Sequence, residues 1–133
     1  MLQAPLDPRP RTTTLARSTL SRVASYDGDD FYCDVALAGQ QPLIVLAEDD
    51  QVLAFEHTRP YWPVHVVVVP KVHVGSLLAL TDLDLAARLL SVVQRVAAAV
   101  LAEHGAAGVT TNLGRYQDSR HLHFHVHSGP PLH

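Results

Sequence analysis

The chain has 133 residues, 47% of them hydrophobic, which is enough for one domain with a sizeable core and too few for a second. Ten Lys and Arg against thirteen Asp and Glu leave a net charge of -3, so no basic excess draws the protein to nucleic acid or to an anionic membrane. The single cysteine, Cys33, excludes an internal disulfide and a Cys-Cys zinc ribbon and fits a reducing compartment, so a cytoplasmic protein is expected.

No apolar run is expected to reach the roughly 18 residues that span a bilayer, because Arg88, Gln94 and Arg95 interrupt the longest. Residues 1–26 are rich in Ser, Thr and Arg and poor in acids, as in a transit peptide, but lack a secretory apolar core. They are expected to form a flexible arm, and the acidic stretch Asp27, Gly28, Asp29, Asp30 opens a single domain over 27–133. Residues 43–46 are rich in branched apolar side chains and bounded by Pro42 and by Glu48, Asp49 and Asp50; the apolar run resumes over 52–55, which predicts a hairpin. Residues 64–69 are dense in Val and closed by Pro70, which cannot extend a ladder, so they form a central, buried strand.

Residues 82–104 predict one long helix. Thr81 with Asp84 resembles a capping box, and Leu85, Leu89, Val92, Val93, Val96 and Val100 recur at helical spacing up to a natural stop at Gly105. Two further strands are expected over 109–112 and 121–127, separated by the polar residues 113–120. Strands around one helix, with a hairpin at each end, predict an α+β fold on a mainly antiparallel sheet.

The most informative segment is His121, Leu122, His123, Phe124, His125, Val126, His127. On a strand, alternate side chains point to opposite faces, so the apolar three can bury against the helix while four imidazoles line the other face. Such a row suits two chemistries. An imidazole with one nitrogen pinned by a hydrogen bond presents the other as a nucleophile toward phosphorus, with its neighbours as donors. Equally, His-x-His on a strand presents two nitrogens to a zinc ion. Spacing alone does not separate them.

The same segment resembles the His-φ-His-φ-His-φ-φ signature of the histidine triad family, with His127 in place of the last apolar residue. Residues 48–55 resemble the family's acidic turn and following strand, and 63–73 the segment that carries its fourth histidine, so the resemblance covers roughly 31–129. It implies about five strands, one long helix and a shorter N-terminal helix. It also implies a homodimer to which the apolar helix residues 92–101 contribute, a nucleotide-type small-molecule substrate, and no cofactor, metal, nucleic acid or membrane.

Within that resemblance His123 is the nucleophile that forms a nucleotidyl-imidazole intermediate, and His125 donates to a phosphate oxygen. His121 and His65 then support the nucleophile's ring and tautomer. Asn112 matches a position near ribose and phosphate, and Phe31, Tyr32, Val35 and Phe55 match an apolar base pocket. Where the phosphoramidase branch has an Asp for ribose hydroxyls, this chain has His57. Its Gln-Ser pair becomes Gln117 and Asp118, with Ser119 one place later. Trp62 is expected to anchor the core and His127 to lie at the surface. The leading expectation is a hydrolase or nucleotidyl transferase. The alternatives are a nucleotide-binding regulator that has lost turnover and a zinc hydrolase using the triad histidines with His65.

Overall fold

The computed structural model describes Arg11–Thr12, Gly39 and residues 42–133. The expected N-terminal helix and the residues Phe31, Tyr32 and Val35 lie outside the described residues. Among the described residues six strands form one sheet: β1 (Arg11–Thr12), β2 (Ile44–Glu48), β3 (Val52–Glu56), β4 (Val64–Pro70), β5 (Gly108–Thr110) and β6 (Phe124–Ser128). Their order is β1-β2-β3-β4-β6-β5 and every pairing is antiparallel. One long helix, α1 (Leu83–His104), packs on β3, β4 and β6. This is the α+β architecture that the sequence predicts.

The β2–β3 hairpin turns on Asp49, whose Oδ1 accepts from the backbone N–H of Gln51 and of Val52, each at 2.8 Å. A short acidic side chain at this point stands in for the backbone and closes the turn. β4 lies in the middle of the sheet, and its side chains divide between two layers. Val66 and Val68 join Ala54, Val126 and Leu122 against Leu85, Leu89, Val92, Val93, Val96 and Val100 of α1. Val67 and Val69 point the other way and pack with Leu43, Val45, Leu53 and Phe55. Burial on both faces is why this strand reads as an almost unbroken run of Val. Each fully buried side chain of this size stabilises the fold by roughly 1.5–3 kcal/mol.

The helix begins one residue later than the capping-box reading implies, because Asp82 is its N-cap and accepts from the N–H of Asp84 and Leu85. Gly105 ends it with φ 80, and its N–H bonds the Leu101 carbonyl. By length and composition Leu83–His104 is long and apolar enough to cross a membrane, contrary to the expectation that no run reaches that length. Of its charged breaks, Arg88 projects from the helix: it is half exposed and lies 3.7 Å from Asp49. The six helix residues named above are consumed by the core, so within 92–101 Val92, Val93, Val96 and Val100 are not available to a dimer. Leu90 and Leu101 remain outward, at 56% and 53% exposure.

Candidate active site

The histidine-bearing strand starts at Phe124, three residues later than predicted. The backbone before it is claimed by loops: Leu122 N–H bonds the Val74 carbonyl at 2.6 Å, and the Thr111 hydroxyl donates to the His123 carbonyl at 2.7 Å. Alternation nonetheless persists, so Leu122 and Val126 reach the helix layer while His123 and His125 are buried elsewhere. His121 is fully buried, donates from Nε2 to the Pro70 carbonyl at 2.7 Å, and meets the His73 ring edge-on.

Register brings the remaining histidines together. Val67 stands opposite His125 and His65 opposite His127, while His57 N–H bonds the His65 carbonyl and continues the β3–β4 pairing. The His57 and His65 rings stack at 4.3 Å, and His123 meets His125 edge-on at 4.8 Å. Phe55 lies across β4 from this group, opposite Val67 and buried.

The hydrogen bonds assign each proton. Tyr61 N–H donates to His65 Nδ1 at 3.0 Å, so a neutral His65 carries its proton on Nε2. That nitrogen lies 2.8 Å from His125 Nδ1 and donates to it, which leaves the His125 proton on Nε2. His123 Nδ1 donates to the His121 carbonyl at 2.7 Å, which puts its lone pair on Nε2. His57 accepts from Arg59 N–H at Nδ1 and carries its own proton on Nε2. His121 thus supports His123 through its main-chain carbonyl, and His65 holds His125, where imidazole support of His123 by both is the sequence expectation.

Burial keeps His57, His65 and His125 neutral. It lowers His57 from 6.5 to about 4, helped by the charge of His123 and opposed by Asp118. It lowers His65 and His125 to about 3, with smaller contributions from the neighbouring histidines, and it lowers His127 as well. Charging one ring beside the others in a low-dielectric site is costly on both counts. At neutral pH these three rings therefore hold fixed tautomers.

Nitrogens of His57, His65 and His125 lie within 4.8 Å of one another, near enough to invite a metal. Their bonding argues against one. A ligand lone pair at His65 Nε2 would move its proton to Nδ1, where the Tyr61 N–H already points. The 2.8 Å contact is also shorter than the roughly 3.3 Å between two nitrogens each about 2.0 Å from a tetrahedral zinc.

Other sequence-selected residues are spread around this centre. Gln117 donates to the Gly75 carbonyl at 2.6 Å and ties the 113–120 loop to the loop after β4, so this nitrogen is committed to structure. Asp118 is exposed but within electrostatic reach of His57; Ser119 is buried and Asn112 half-buried. Trp62 is not a core anchor: it is half-buried and stacks on His127 at 3.7 Å and 12°, which makes His127 more than a bare surface residue. Gly108 leaves the space, since a Cβ there would lie 2.5 Å from His127 Cε1. A cleft of about 580 Å³ between the end of α1 and the 57–66 segment reaches His57 and His65 from the helix side. Sequence reasoning missed Tyr61, Arg59, Pro70 and Thr111. The first three act through main-chain groups that carry no residue signature, and Thr111 carries a signal only in lying next to Asn112.

A sheet backed by one helix, with hydrogen-bonded imidazoles on the opposite face, defines a small α+β protein built around a histidine cluster. The chain belongs to the HIT domain family, whose model matches residues 38–131. It is 31% identical over 101 residues to protein hit of Bacillus subtilis, covering 74% of this chain and 68% of that protein. To the adenylylsulfatase HINT1 of Arabidopsis thaliana it is 33% identical over 101 residues, covering 72% and 69%. Among solved structures, a histidine triad protein from Clostridium difficile superposes with a TM-score of 0.65 at 31% identity, covering 81% of this chain and 96% of that one. The resemblance stated from the sequence holds, as does the antiparallel sheet with one long helix that it implied.

Proposed function

We propose that the protein is a nucleotidyl hydrolase or transferase that cleaves a phosphoramidate or phosphoanhydride at the α-phosphorus of a nucleotide. The supporting observation is the bond from His123 Nδ1 to the His121 carbonyl, which directs the Nε2 lone pair away from that carbonyl and makes it the attacking atom. Nε2 bonds to phosphorus as the bond to the leaving amine or oxygen breaks, and the leaving group takes up a proton from solvent water. Water then attacks phosphorus, the P–Nε2 bond breaks, and the nucleoside monophosphate departs. His125 donates a hydrogen bond from its Nε2–H to a nonbridging oxygen, where negative charge grows in the transition state. Asn112, Phe55, His57, Gln117, Asp118 and Ser119 surround the bound nucleotide in this reading. The name of the Arabidopsis relative, an adenylylsulfatase, supports an adenylyl substrate.

The test is turnover of a fluorogenic adenosine phosphoramidate, with mass spectrometry of the quenched enzyme for adenylyl-His123. His123→Ala is expected to reduce kcat by about 10⁴-fold or more, the scale seen on removing a nucleophile, while chelator leaves the rate unchanged. Loss of turnover on chelation with recovery in zinc would replace this reading with the metal one. Tight nucleotide binding without turnover or adduct would replace it with a binding role. A homodimer is part of the proposal: β5 is a sheet edge with Val109 exposed, and Leu90 and Leu101 face outward on α1.

A further inference from the structure

The tautomers of His65 and His125 trace back to one backbone group, the Tyr61 N–H. It bonds His65 Nδ1 at 3.0 Å, His65 Nε2 then donates to His125 at 2.8 Å, and His125 is left with its proton on Nε2. If the Tyr61 N–H moves away, His65 is free to carry its proton on Nδ1, and the His125 donor is no longer specified. What fixes Tyr61 is therefore part of the machinery.

Tyr61 is exposed and lies outside any strand, so the core does not hold it. The chain after β6 does. Leu132 N–H donates to the Tyr61 carbonyl at 2.7 Å, and the His133 ring meets the Tyr61 ring edge-on at 5.2 Å. Gly129, with φ 88, turns the chain against Pro63 so closely that a Cβ would lie 2.9 Å from Pro63 Cγ. Just before that turn, His127 stacks on Trp62. Residues 127–133 thus run alongside 61–63 and touch each of the three.

We propose that residues 129–133 are a positioning element for the histidine relay, holding the Tyr61 peptide against His65 and so keeping the His125 N–H available to substrate. The inference that this matters for rate rests on the hydrolase reading above; the inference about tautomers does not. Leu132 is a positioning residue acting through its N–H.

Leu132→Pro tests it, since proline removes that N–H while the exposed side chain is lost at little cost to folding. Leu132→Ala, which keeps the N–H, is the control, and circular dichroism checks that both fold. Nitrogen-15 NMR of the histidine rings reads the tautomers directly. The wild type and Leu132→Ala are expected to hold His65 and His125 as single Nε2–H tautomers. Leu132→Pro is expected to mix them and to lower kcat about tenfold, the rate equivalent of one net hydrogen bond, with KM changed less than twofold. Single tautomers in Leu132→Pro overturn the proposal, as does a wild type whose His65 carries its proton on Nδ1. A change in KM alone also overturns it. If the wild type proves to have no turnover, the hydrolase reading fails while the tautomer comparison still decides this one.

Discussion

Acid should unfold this domain through its histidines. In the fold His57 titrates near 4 and His65 and His125 near 3, against an ordinary value of 6.5. All three are depressed, so the unfolded chain takes up protons first. The stability they contribute is complete above pH 6.5 and is lost as pH falls toward their folded values. At pH 5 an unfolded chain binds nearly one proton more at each site, a slope of about 1.4 kcal/mol per pH unit per histidine. From pH 7 to 5 that amounts to about 2 kcal/mol each; allowing for the partial exposure of His57 and for the mutual repulsion counted among the rings, the cluster loses about 4 kcal/mol. A domain of ordinary stability, roughly 5–15 kcal/mol, would be close to unfolding. Urea denaturation at intervals between pH 7.5 and 5 measures it above the main titration range of the carboxylates. His57→Asn should reduce the slope by about a third, because one of three titrating groups is removed. A stability that varies by less than about 1 kcal/mol over this range would refute the neutral, buried cluster.

Leu89, 1% exposed in the middle of α1, should cost about 2–5 kcal/mol as Leu89→Ala, read from the urea midpoint; a smaller loss would mean that the helix is less tightly seated on the sheet than its burial implies. Gly108→Ala should drive His127 off Trp62 and destabilise by about 1–3 kcal/mol, because the new Cβ falls inside the imidazole ring's contact distance. Trp62 is the only tryptophan, so its fluorescence reports the displacement, and an unchanged emission spectrum would refute it.

The helix and the Val-rich strand were legible because periodicity is a property of the chain alone. Leu85, Leu89, Val92, Val93, Val96 and Val100 recur at the turn of a helix, and they are the residues that the sheet covers. The triad's alternation likewise predicted which side chains share a face, and its spacing carried the family. Its limits were not legible, since Leu122 and His123 give their backbone bonds to Val74 and Thr111, partners far along the chain. Which ring nitrogen carries a proton is settled by carbonyls and N–H groups that every residue possesses. Residue types alone determined that histidines would gather on one face of an antiparallel sheet. Only the tertiary structure decided that Tyr61 would point its N–H at His65, because a backbone group has direction only once the fold has oriented it.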